Sequence, residues 1–135
     1  MTDKKFKISV IRTEYFTNFE KKTVTCKLHY RIKATDNRMN YVLSDLGSIV
    51  DEGINVWDTL TVVATARTMP GDNFDLHKGE QIARAKAESM AYESVSKCFD
   101  RIHNWYVHNI LTPMAEFIEK SDGVIAHNNR YIDSF

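Results

Sequence analysis

The sequence predicts an α+β fold: an antiparallel β-sheet of three to four strands, packed by a long C-terminal α-helix and a shorter final helix. Three observations predict it. Residues 23–34 alternate strictly, with Val24, Cys26, Leu28, Tyr30 and Ile32 on one side and Thr25, Lys27, His29, Arg31 and Lys33 on the other. Period two is the pattern of a half-buried strand. Residues 56–68 repeat that alternation in threonine, valine and alanine, which suit a pleated surface. From Leu76 onward, apolar residues recur at steps of three and four, which places them along one face of a helix.

Taken in order, Lys4 to Glu14 forms the first strand, with Phe6, Ile8 and Val10 facing one way. Tyr15 to Lys22 connects it to the second strand through a turn at Asn18, which makes an antiparallel hairpin. Thr35 to Met39 reads as a turn. Residues 40–56 offer two readings, short strand pieces at Tyr41–Leu43 and Ile49–Val50 or one helical turn, with Gly47 and Gly53 favouring irregular structure. The last strand ends before Pro70-Gly71, since proline removes a ladder donor and glycine tolerates unusual dihedrals. Asp72, Asn73 and Asp75 can then cap the exposed N–H groups of the long helix.

That helix carries Ala83, Ala87, Met90/Ala91, Val95, Cys98/Phe99, Ile102, Trp105/Tyr106 and Ile110 on one face. Its early alanines allow close packing on a sheet. Its later aromatics fill a wider gap or an interface. At ~1.5 Å per residue, the run to Leu111 spans about 50 Å, longer than a small core. Its distal half is therefore expected to pack on a returning segment or a second subunit, with Phe99, Ile102, Trp105, Tyr106 and Ile110 as the oligomer interface. Thr112-Pro113 kinks or ends the helix. A short helix follows to about residue 120, Ser121-Asp122-Gly123 is read as a stop, and 121–135 as a tail. These readings make 1–135 a single domain, with a sheet part at 1–68 and a helical part at 73–120.

Composition bounds function loosely. Lysine plus arginine and aspartate plus glutamate each number 18, so the chain is formally neutral. Ten of the basic and four of the acidic residues lie in 1–40, leaving eight and fourteen in 41–135, a split of +6 against −6. Such a dipolar chain can pair with itself or offer a basic surface to an anion. It does not suit a DNA mimic, which needs overall acidity. The charged start lacks the apolar centre of a signal peptide, and no apolar run reaches the roughly 18 residues needed to span a bilayer. A cytoplasmic protein without membrane contact is expected. Cys26 and Cys98 sit in different elements and read as buried thiols.

The five histidines show no zinc-site spacing, so no metal is expected. No GxSxG or protease signature occurs, and Asp72 and Asp75 read as caps rather than a catalytic pair. Neither enzymatic activity nor a cofactor is expected. The polar side of the second strand carries Lys27, His29, Arg31 and Lys33, with Lys5 and Lys7 beside them and Arg67 joining if the last strand is a neighbour. One reading is a solvated face that blocks edge aggregation. The other is an anion-binding surface for a nucleotide or a nucleic-acid backbone. Trp57, Tyr92, Trp105 and Tyr106 could stack on bases, or serve as core or dimer contacts.

Ala66, Pro70, Asp72, Phe74, Asp75, Gly79, Ile82, Ala83 and Ala87 match a pattern, A-K-C-x-P-x-D-x-F-D followed by G-x-x-[LI]-A, that resembles one in small, mostly uncharacterised proteins of phages and prophages. Arg67, Thr68 and Lys86 replace its lysine, cysteine and arginine, so a thiol role is not carried over. Phe74 can pack on the first helical turns, and Gly79 lets the helix approach the sheet. The resemblance implies a non-enzymatic accessory protein that acts by binding in the host cytoplasm, as an anti-defence protein sequestering a nucleotide signal or blocking a host protein. A nucleic-acid-binding module of phage DNA metabolism and a purely structural subunit are the alternatives. A homo-oligomer, dimer or higher, is expected.

Overall fold

A computed structural model describes residues 6–50, 58–69 and 71–135, with side chains at 46–50 left undescribed. Strands β1 (Phe6–Asn18), β2 (Thr23–Ala34) and β3 (Leu60–Arg67) form one antiparallel sheet in the order β1-β2-β3. Among the described residues the sheet has three strands, the lower of the two expected numbers. Between β2 and β3 lies helix α1 (Asn37–Val50), and after β3 come α2 (Leu76–Tyr106), a π-helical turn (Val107–Leu111) and α3 (Thr112–Asp133). The chain forms two compact units, Met1–Phe99 and Asp100–Phe135.

In the first unit, β2 is the middle strand, and its inward residues make the core. Val24, Cys26 and Leu28 are fully buried, with Tyr30, Ile32 and Ala34 nearly so. Helix α2 covers that face with Ala83, Ala87 and Ala91, all fully buried, and with Val95. Gly79 explains how close the helix comes. A methyl group added there would stand 2.7 Å from Val24 Cγ2, well inside van der Waals contact. Asp75 starts the helix, its Oδ1 accepting the Lys78 N–H at 3.1 Å. Asp72 N–H donates to the Met69 carbonyl, closing a turn in which Gly71 adopts φ 90°. Phe74 meets the ring of Phe19 in the hairpin loop, with centroids 5.9 Å apart.

Residues 37–50 are helical, where a turn and then irregular structure were expected. Asp36 caps the helix, its Oδ1 accepting the Met39 N–H at 2.8 Å. Buried Leu43 and Asn40 face the sheet, and Asn40 Oδ1 accepts the Ala34 N–H at 2.9 Å where β2 ends. The expected break at Gly47 does not stop the helix, since one interior glycine costs only about 1 kcal/mol. Residues 51–57, Trp57 among them, fall outside the described residues.

The second unit is helical almost to its end. Pro113 has no N–H, and its ring would crowd the carbonyl of Asn109 in a regular helix. The chain widens here into the π turn. Thr112 N–H donates to the Val107 carbonyl, five residues back, and Asn109 Nδ2 donates to the Trp105 carbonyl at 2.9 Å. The helix then runs unbroken through Ser121-Asp122-Gly123 to Asp133, so the expected stop and tail at 121–135 are helical. In a helix of 22 residues the ~1 kcal/mol cost of Gly123 is readily absorbed.

Candidate functional site

The outward side of β2 holds four of the five basic residues singled out from the sequence, and what surrounds them depends on a bulge in β1. Register shifts between Val10 and Arg12. Before the shift, Phe6, Ile8 and Val10 lie opposite Ala34, Ile32 and Tyr30, on the helix-covered face. After it, Thr13, Tyr15 and Thr17 take that side, and Arg12, Glu14 and Phe16 turn outward opposite His29, Lys27 and Thr25. A one-residue slip exchanges the two faces of a strand. Without it, Glu14 would point into the core.

Instead Glu14 stands at the centre of a network. Its Oε2 lies 3.0 Å from His29 Nε2, and its Oε1 lies 3.4 Å from an Arg12 guanidinium nitrogen. On the other side of the ring, the Thr61 hydroxyl lies 3.2 Å from Nδ1. Nε2 faces the carboxylate and donates to it, and Nδ1 faces the Thr61 hydroxyl, which can either donate or accept. Arg12 also approaches Nε2, at 3.5 Å, but that nitrogen cannot both donate to Glu14 and accept from Arg12. The contact of Arg12 with the carboxylate is therefore the one that matters. The hydrogen bond from His29 is the largest influence holding the Glu14 carboxyl below its ordinary range. Partial burial opposes it, and Arg12, His29 and Lys27 add favourable charge. One row further, the Thr25 and Thr65 hydroxyls lie 2.9 Å apart.

His29 is thus engaged by a carboxylate absent from the basic row singled out from the sequence, and Lys27 lies opposite that carboxylate in register and adds favourable charge to it. Arg31 and Lys33 are placed differently. Lys33 lies directly opposite Lys7, and Arg31 lies opposite Ser9 with its Nε donating to Thr59 Oγ1 at 3.4 Å. All three cations are exposed, and no described carboxylate pairs with any of them. Like charges directly opposite on a sheet are destabilising, so this corner gains from any anion that settles on it. Arg67 is not part of it. It pairs with Thr23, eight positions along β2 from Arg31, or about 26 Å at a strand's rise per residue.

Arg67 belongs to a second feature, an open cavity of about 470 Å³ at the β3-to-α2 turn. Met69, Phe74 and Ile82 supply apolar wall, and Arg67, Asp72 and Lys78 supply charge of both signs. Asp75 also lines it, but its carboxylate is engaged in capping α2.

The residues expected to form an oligomer interface are largely occupied within the chain. Phe99 stacks against Phe6 with ring centroids 5.3 Å apart. Ile102 is buried, Trp105 and Tyr106 pair at 6.0 Å, and Ile110 is half-buried in the π turn. Cys26 is buried and free, and burial pushes its thiol pKa up, away from reactivity. Among the described residues no group of three His, Cys, Asp or Glu side chains is placed to hold a metal ion. No helix among them is long and apolar enough to cross a membrane.

Comparison with known protein families, curated proteins and solved structures finds no match.

Proposed function

We propose that this chain is a non-enzymatic accessory protein of phage type that acts by binding, and that its ligand is an anion of nucleotide size held at the Lys7–Arg31–Lys33 corner. One observation carries the reading: two lysines directly opposite one another and an arginine in the next row, none paired with a described carboxylate, on an exposed sheet face. Phosphate oxygens would relieve that repulsion, and Arg31 can offer a bidentate fork to them. Ser9, Thr59 and the backbone define the rim. The neighbouring Glu14–His29–Arg12 network bounds the site on one side, where the Arg12 guanidinium is already paired with a carboxylate. A compact nucleotide suits this corner better than a long nucleic-acid strand.

Isothermal titration of the full chain with a panel of mononucleotides and cyclic mono- and dinucleotides tests this. Arg31→Ala with Lys33→Ala should weaken binding at least about tenfold, about 1.4 kcal/mol, whereas Arg67→Ala should leave it unchanged. A compact ligand predicts a fixed stoichiometry and a shallow salt dependence, where a nucleic-acid strand predicts a steep one. Equal affinity of the double variant and the natural chain would remove the site. No binding by any member of the panel would remove the nucleotide reading.

A further inference from the structure

A long apolar surface of the second unit lies on α3, and none of its side chains is buried. Adjacent apolar residues recur every seven positions: Ile110-Leu111, Phe117-Ile118, Val124-Ile125 and Tyr131-Ile132. Met114 and Phe135 lie in the same stripe. From Leu111 to Phe135 every one of these nine side chains is at least half exposed, and α3 buries none of its residues. If each presents on the order of 100 Å², the stripe offers about 900 Å². That exceeds the ~300–600 Å² patch usual on a monomer and matches the ~800 Å² per partner of a stable interface.

The period says what kind of partner fits. On a straight helix a strict seven-residue repeat drifts by about 20° per heptad, so three intervals turn the stripe through about 60°. A flat surface cannot follow it. A second helix with the same repeat can, by winding around it in a left-handed supercoil. The polar side of α3 argues against a lipid surface, because Glu116, Glu119, Asp122 and Asp133 outweigh Lys120 and Arg130, whereas helices that lie on membranes are rich in basic residues.

We propose that the partner is a second copy of this chain, with α3 packing on α3 through the 111–135 stripe as a supercoiled pair or a larger bundle. Ser121 and Asn128 interrupt the stripe at successive heptad positions. As buried polar groups between copies they set register and the number of helices, at a cost in stability. The self-association site is therefore α3, beyond the residues 99–110 that the sequence singles out. This inference does not depend on the anion site.

Sedimentation velocity of the full chain from about 1 to 100 µM tests it. The natural chain should form a dimer or larger species in that range. Phe117→Glu with Ile125→Glu should weaken assembly by more than about 100-fold, with circular dichroism showing that the first unit's fold is kept. Asn128→Leu should tighten assembly or change the number of subunits. Arg31→Ala with Lys33→Ala should leave it unchanged. A natural chain that stays monomeric at about 100 µM, or a Phe117→Glu/Ile125→Glu chain that assembles like the natural one, would overturn the proposal. So would association with lipid vesicles in place of self-association.

Discussion

Replacing Gly79 by alanine sets two effects of opposite sign against each other. In an exposed helix the change would stabilise by about 1 kcal/mol, because alanine has the better helix propensity and restricts the unfolded chain. Here the new methyl would stand 2.7 Å from Val24 Cγ2 and 3.4 Å from its Cβ. Val24 is fully buried on the central strand and, being β-branched, has little rotamer freedom to yield. Relief would have to come from lifting α2, which would loosen the contacts of Ala83, Ala87 and Ala91 with the same face. Overpacking of this kind costs about 1–3 kcal/mol. The clash wins, and Gly79→Ala should lower stability by about 1 kcal/mol net. In a Val24→Ala background Cγ2 is gone and only the 3.4 Å contact remains, so the sign should reverse. Alanine at 79 should then stabilise by up to about 1 kcal/mol over glycine. Urea unfolding followed by circular dichroism measures all four corners of the cycle. Stabilisation by Gly79→Ala in the natural background would refute the close packing of α2 on β2.

Three further outcomes follow from the fold. The folded-state pKa of Glu14 is depressed, so its interaction with His29 stabilises above the ordinary carboxylate range and is lost as pH falls through the folded value; Glu14→Gln should flatten the acid side of the stability profile in thermal melts at a series of pH values. Asn40→Ala leaves the Ala34 N–H at the end of β2 without its acceptor and should cost about 1–3 kcal/mol in chemical denaturation, while Asn40→Asp, which keeps an acceptor, should cost less. Lys22 adopts φ 53° in the hairpin loop, a conformation that glycine takes without penalty; Lys22→Gly should be neutral to about 0.5 kcal/mol stabilising and Lys22→Val destabilising by about 1 kcal/mol, read in the same assay.

How much of this was legible in the sequence differs element by element. β2 was plain, because the central strand's covered side is apolar at every second position and its other side is polar throughout. β1 was half legible. The alternation of Phe6, Ile8 and Val10 is real, but the bulge reverses the phase, so the strand runs on to Asn18 where a connection was expected. The same reversal hid Glu14, the residue that decides the electrostatics around His29 and Lys27. Arg67 looked like a neighbour of the basic row because β3 does pair with β2, yet register, which composition does not reveal, puts it at the far end. In α1 the signs were present, with Asp36 as a cap and Met39, Leu43, Leu46 and Val50 at helical steps, but two glycines outweighed them. Ser121-Asp122-Gly123 misled in the same way. Local breakers are weak evidence against a long amphipathic pattern, and the seven-residue repeat that crosses 121–123 was the stronger signal.

The measurement that tests the binding account most directly is native mass spectrometry of the full chain purified from cells in which it functions. The account predicts a retained adduct of nucleotide mass on the natural chain, absent from the Arg31→Ala/Lys33→Ala chain and present on the Arg67→Ala chain. The same bare mass for all three would contradict it.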